Sequence, residues 1–152
     1  MQPKEEVLNV LLVELFNNIT NIEEKALRTE SFENLSMTEF HVIAAIGVGN
    51  PLKMSDIAPK LGVTVGTLTI AVNNLLKKGY VARHRSETDR RVVYISLTES
   101  GVRAYNHHES FHKEMIDFTL KALTEAESEV LAKALLKVIK YFKERYETRI
   151  EQ

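Results

Sequence analysis

Two sets of side chains carry most of the chemistry in this 152-residue chain. The first lies along residues 64–77. At 100° per residue, Gly66, Thr67, Ile70, Asn73, Asn74 and Lys77 share one side of a helix, and Val65, Leu68, Val72, Leu75 and Leu76 the other. Asparagine pairs bidentately with adenine, and threonine or isoleucine meets a thymine methyl, so the first side suits base edges in a DNA major groove. Thr64 is a plausible N-cap, and the helix start would favour a phosphate. An ordinary solvated helix face has the same make-up, because such patterns are degenerate. The second set is five histidines: His41, His84, His107, His108 and His112. His108 and His112 are four apart, so on a helix both project from one face and can hold a metal between two imidazoles. Hydrogen-bonded histidines on core or surface helix faces are the plainer reading, and His84 reads as part of the surface of a hairpin.

The charge around the first set separates the two readings of it. Residues 77–91 hold Lys77, Lys78, Arg83, Arg85, Arg90 and Arg91 against Glu87 and Asp89, a net of +4. Phosphate contacts need cations there, and a narrow minor groove attracts arginine. Asp89 sits where it can brace Arg91 or Arg90 by a charge-assisted bond. The whole chain carries only −1, and residues 1–35 carry seven acids against three bases. That acidic end should face away from phosphate.

The elements that position these groups follow from periodicity and turn chemistry. Residues 53–64 and 65–78 read as two short helices about a turn with Gly62, and Gly79 ends the second. Residues 80–85 and 92–97 alternate as strands of a hairpin, a wing beside the helix-turn-helix. Pro59 inside the first of the two helices predicts a kink or a shortened helix. A long helix over residues 4–28 precedes them, then a polar loop over residues 29–35. Ser36-Met37-Thr38-Glu39 is a capping box opening a helix that stops near Gly47. Thr98 caps a long helix to about Ala122. Thr124-Glu125-Ala126-Glu127 is a second capping box, starting a last helix to about residue 149. The fold class is mainly α with a small β-wing. Residues 36–97 form a DNA-binding domain able to fill its own core, and residues 1–35 and 98–152 form a helical dimerisation region.

At these residues the chain resembles the MarR family of bacterial winged-helix regulators. The shared features are Ser55-Asp56-Ile57-Ala58 with Leu61-Gly62-Val63, Gly66-Thr67-Leu68-Thr69, Leu75-x-x-Lys78-Gly79-Tyr80, Asp89-Arg90-Arg91, and Leu97-Thr98-x-x-Gly101. The resemblance is closest to MarR-type repressors of fatty-acid synthesis genes in Gram-positive bacteria. It runs through Phe16-Asn17-Asn18, Ile22-Glu23-Glu24, Asn73-Asn74-Leu75, Arg85-Ser86-Glu87, residues 89–94 and Phe111-His112-Lys113. It implies that Thr64, Gly66, Thr67, Thr69, Ile70, Asn73, Asn74 and Lys77 meet double-stranded DNA from the helix. Arg85, Ser86, Asp89, Arg90 and Arg91 would meet it from the wing.

The resemblance also implies a homodimer on a pseudo-palindromic operator, with the terminal helices interleaved between subunits. Long apolar stripes on the first and last helices point the same way, against a monomer whose helices fold back as a hairpin. No cofactor is required. One implied effector is an acyl chain delivered on acyl carrier protein. The apolar residues that could wrap it are Leu12, Leu15, Phe16 and Ile19 of the first helix, Phe40 and Ile43 of the second, and Phe111, Met115 and Phe118 of the fifth. The alternative is Zn²⁺ held by Glu24 (or Glu23), His41, His108 and His112, as in zinc-responsive members of the family.

Other classes of function fit less of the chain. His108-Glu109-Ser110-Phe111-His112 matches the HExxH string of metallohydrolases, but such an enzyme also needs a third ligand and an open substrate cleft, and no peptide-binding edge strand or glycine-rich cleft loop is evident. A bare protein-interaction module would leave the cations of residues 77–91 unexplained. Hydrophobic content of 44% and 27% charged residues fit a soluble globular domain. The absence of cysteine fits a reducing cytoplasm, and no apolar run suggests a membrane span.

Overall fold

The computed structural model describes residues 2–146. The chain runs α1 (Pro3–Leu27), a 3₁₀ turn (Glu30–Phe32), α2 (Met37–Ile46), β1 (Leu52–Lys53), α3 (Met54–Leu61) and α4 (Val65–Lys78). The hairpin β2 (Val81–Arg85) and β3 (Val93–Leu97) follows, then α5 (Glu99–Ala122) and α6 (Glu125–Tyr146). The last helix was expected to reach residue 149, and that final stretch lies outside the described residues. Two compact units result, Met1–Phe111 and His112–Gln152.

Local chemistry sets the boundaries. Ser36 Oγ accepts from the Glu39 amide at 3.1 Å while the Glu39 carboxylate accepts from the Ser36 amide at 2.9 Å, the expected capping box. Thr124 and Glu127 repeat it at the start of α6. α3 and α4 end on Gly62 and Gly79 at φ +65° and +81°, a left-handed turn that a side chain resists. The helix α3 continues through Pro59 to Leu61, where a kink or shortening was expected. The proline lacks only the amide that would have bonded the Ser55 carbonyl.

The three-stranded antiparallel sheet has the order β1-β3-β2, with Leu52 opposite Ile95, and Arg83 also opposite Ile95 from the other side. Its two-residue strand β1 falls in a stretch that reads as loop and helix start. Such a short strand exists only through its pairing with Tyr94 and Ile95. The core under the sheet comprises Phe40, Ile43, Ile57, Leu68, Val72, Leu75 and Ile95, all at most 1% accessible. Leu27, Leu35 and Ala104 complete it from outside residues 36–97, so the flanking helices close the core that the central segment begins.

A partly buried ion pair joins the start of α2 to the end of α4. Lys78 Nζ, at the last turn of α4, donates to both carboxylate oxygens of Glu39 at 2.8 and 2.9 Å and to the Asn34 carbonyl. The Glu39 side chain is 6% exposed and that of Lys78 31%. By sequence Lys78 belongs with the cations beside the reading helix, but its bonds serve the fold. Lys78→Met should cost about 2–4 kcal/mol in urea unfolding, because it leaves a buried carboxylate without its cation. The double variant Lys78→Met with Glu39→Gln should recover part of that loss. Equal stability of Lys78→Met and the wild type would remove the ion pair from the fold's energetics.

Candidate nucleic-acid interface and the Glu–His cluster

The helix α4 is divided as its period requires. Leu68, Val72 and Leu75 are buried and Leu76 half-buried, which fixes the opposite face toward solvent. Val65, grouped with the apolar side, stays exposed in the first turn. Gly66, Thr67, Asn73, Asn74 and Lys77 are exposed, and Ile70 is 67% exposed. A large aliphatic side chain left in water amid amides and hydroxyls is what a thymine-methyl contact calls for. Thr64 Oγ1 accepts from the Thr67 amide at 3.2 Å and donates to Thr67 Oγ1 at 3.1 Å. The cap therefore orients the first side chain of the exposed face. Thr69 is half-buried and its hydroxyl donates to the Val65 carbonyl at 2.7 Å.

The wing tip is a built turn. The Ser86 amide donates to the Val92 carbonyl at 2.9 Å and the Val92 amide to the Asp89 carbonyl at 3.0 Å. Ser86 Oγ accepts from the amides of Thr88 and Asp89 at 3.3 Å. Of the two arginines offered to Asp89, it takes Arg91. Arg91 Nε donates to Oδ1 at 3.1 Å and Nη2 to Oδ2 at 3.2 Å, and the Arg91 amide adds a third bond at 3.1 Å. These bonds, the side-chain ones first, hold the Asp89 carboxyl below its ordinary range, so the brace is charged at neutral pH. The Arg91 side chain is 90% exposed, held to Asp89 through Nε and Nη2. Arg85 and Arg90 are exposed beside it.

The second cluster lies within the first unit, where α1, α2 and α5 meet. His108 Nε2 lies 2.8 Å from Glu23 Oε1, and His41 Nε2 lies 3.5 Å from the same oxygen. Burial raises the Glu23 carboxyl, but the hydrogen bond from His108 and the charges of His41 and His108 outweigh it, and the net shift is downward. An ionised carboxylate only accepts, so His108 Nε2 carries the proton in this contact. Glu23 is the acid that reaches the histidines. Glu24, named first from sequence, points elsewhere and accepts from Arg28 Nη2 at 3.0 Å. His112 falls in the second unit. His107 Nε2 lies 3.2 Å from the Leu27 carbonyl and its ring stacks on Phe32 at 5.0 Å, a structural tie between α5 and the end of α1.

The apolar residues offered as an acyl pocket divide by environment. Phe40 and Ile43 are in the core, with Phe111 partly buried against it. Leu12, Leu15 and Phe16 are exposed, Phe16 by 73%, and Ile19 is half-buried. Met115 is half-buried and Phe118 exposed. Part of the set is filled core and part is open helix face.

Comparison with known proteins joins these observations. The MarR family profile matches residues 35–93, the span of the helix-turn-helix and most of the wing. The transcriptional regulator MhqR of Bacillus subtilis is 31% identical over 104 residues, 68% of this chain and 72% of that protein. An uncharacterised HTH-type regulator of the same organism, YpoP, is 29% identical over 133 residues, covering 88% of this chain and 92% of that one. Among solved structures, Streptococcus pneumoniae FabT in complex with DNA shares 37% identity at a TM-score of 0.86, over 92% of this chain and 98% of that one. These relatives are transcriptional regulators, which sets aside the metallohydrolase reading of the HExxH string. No helix among the described residues is long and apolar enough to cross a membrane. The chain belongs to the MarR family and is a DNA-binding transcriptional regulator with a winged helix-turn-helix.

Proposed function

We propose that this regulator is a dimeric repressor of fatty-acid synthesis genes, and that an acyl chain delivered on acyl carrier protein sets its grip on DNA. The observation that carries the dimer is the state of α1. Val7, Leu8, Leu11, Leu12, Leu15 and Phe16 are all exposed on one helix, and on α6 so are Leu131, Leu135, Val138 and Phe142. An apolar helix face of that length on a lone chain marks an interface, and a second copy also matches a pseudo-palindromic operator with two half-sites. Support for the regulon and effector is the set of residues shared with FabT-like repressors of fatty-acid genes and the 37% identity to FabT. Leu12, Leu15 and Phe16 would then line a chain-binding tunnel that a partner subunit completes.

Sedimentation at micromolar concentration should give twice the subunit mass, and one subunit mass would defeat the dimer. Acyl carrier protein loaded with progressively longer chains should change operator affinity in steps. Each buried methylene contributes about 0.8 kcal/mol, roughly fourfold, until the tunnel is full. A response that ignores chain length would reject the acyl effector.

One observation favours a second reading, zinc as effector. Glu23, His41 and His108 each place a ligand atom within 4.8 Å of the others. A carboxylate with imidazoles is a donor set that Zn²⁺ accepts. Zinc affinity should fall as the solution is acidified, because imidazole must be neutral to ligate. Zinc-dependent DNA binding that survives His108→Ala would exclude this site.

A further inference from the structure

Arg83 lies outside the DNA-contacting residues read from sequence, and the fold gives it an unusual place. Strand alternation puts Val81, Arg83 and Arg85 on the face of β2 that Ile95 occupies on β3. Val81 and Ile95 are buried on that face, against which α4 packs. Beyond Val81 the face runs out from under the core, so Arg83 emerges beside α4. There its Nη2 donates to Asn73 Oδ1 at 2.8 Å. Arginine has only donors, so this contact fixes the orientation of the asparagine amide: its carbonyl faces Arg83.

We propose that Arg83 is a DNA-contacting residue, bound to a backbone phosphate at the groove edge, and that Asn73 is the positioning residue that holds it there. Adenine recognition by asparagine needs both the amide oxygen and the amide nitrogen. With its amide oxygen held toward Arg83, Asn73 is turned away from that bidentate geometry. Base reading by an amide passes to Asn74, its exposed neighbour on the same helix. The guanidinium keeps its remaining donors for phosphate oxygens, and a fork fixed in the free protein loses less rotamer entropy on docking. Lys77 stands one helical turn beyond Asn73, so the two cations would follow successive positions along the same strand of phosphates. The proposal rests on α4 and the wing being the DNA face, for which Arg91→Ala is the control.

The test uses a duplex selected by the wild-type protein from a randomised library, and single-base-pair variants of it. Arg83→Ala should weaken binding to all of these duplexes by a similar factor and lower the log–log salt slope by about one. Asn73→Ala should give a smaller, equally uniform loss that disappears in the Arg83→Ala background. In ¹⁵N NMR of the free wild-type protein the Arg83 guanidinium should rotate slowly, and Asn73→Ala should abolish that slowing. Asn74→Ala should change the ranking of duplexes at one base pair of each half-site. A change of ranking with Asn73→Ala, or its full effect in the absence of Arg83, would overturn the assignment. So would an Arg83→Ala variant with unchanged affinity while Arg91→Ala is impaired. If both arginine variants bind as the wild type does, the docking mode itself is wrong and the assignment falls with it.

Discussion

Gly101→Ala is expected to destabilise the protein by on the order of 3 kcal/mol, although glycine-to-alanine changes inside helices ordinarily stabilise. The reason is the seat of α5. Thr98 accepts from the Gly101 amide at 3.2 Å, donates its hydroxyl to the Gly79 carbonyl at 2.6 Å and its own amide to the Tyr80 carbonyl at 3.0 Å. The first turn of α5 is thereby pulled onto the backbone that ends the reading helix. A Cβ at Gly101 would stand 2.1 Å from the Tyr80 carbonyl oxygen and 3.1 Å from Leu97 Cβ. Neither backbone can yield without breaking the bonds that hold it. Gly66, in the first turn of α4, supplies the contrast: the nearest atom to its added Cβ is Thr64 Oγ1 at 3.8 Å. Gly66→Ala should leave stability unchanged or raise it by up to about 1 kcal/mol. Urea unfolding of both variants at one protein concentration checks the pair, since a dimer's midpoint moves with concentration. A Gly101→Ala variant as stable as the wild type would mean that the close approach is not enforced.

Arg91→Ala is expected to cost about 1–3 kcal/mol in operator binding, roughly five- to 150-fold, with no change in stability. Its side chain stands in solvent and its partner Asp89 is itself exposed, so folding has little to lose. DNA binding loses a cation presented in a fixed direction. Asp89→Ala separates the two ingredients, presentation and charge. It releases the arginine but also removes a negative charge from the wing, so specific binding should weaken while non-specific binding strengthens. Titration of the duplexes at several salt concentrations reads both. An Arg91→Ala variant that binds the selected duplex as tightly as the wild type would rule out the wing contact.

Much of the fold is legible in local sequence because local chemistry decides it. The period of Leu68, Val72 and Leu75, the capping boxes at Ser36 and Thr124, and the glycines ending α3 and α4 each act within a turn or two of chain. What is hidden depends on partners distant in sequence. β1 is a strand only because Tyr94 and Ile95 pair with it. Lys78 looks like another groove cation until Glu39, thirty-nine residues away, is seen to hold it. Glu23 and Glu24 are adjacent acids one helical step apart, and only the packing of α1 decides which faces the histidines. α5 shows the same limit. Its buried stripe is Gly101, Ala104 and His108, small and polar residues that a search for large apolar side chains passes over. Arg83 was counted as charge, and its role surfaces only when strand alternation and the position of α4 are combined.

The measurement that bears most directly on the DNA-binding mode is dimethyl sulfate interference on the selected duplex. The reagent methylates guanine N7 in the major groove and adenine N3 in the minor groove, so one experiment reports both contacts. Insertion of α4 and of Arg91 requires interference at guanine N7 within two half-sites about one helical turn apart, and at adenine N3 in the minor groove beside each. Loss of the adenine signal alone in Arg91→Ala would assign it to the wing. Interference in only one groove, or a pattern without two-fold symmetry, would contradict a dimer that docks through both the reading helix and the wing.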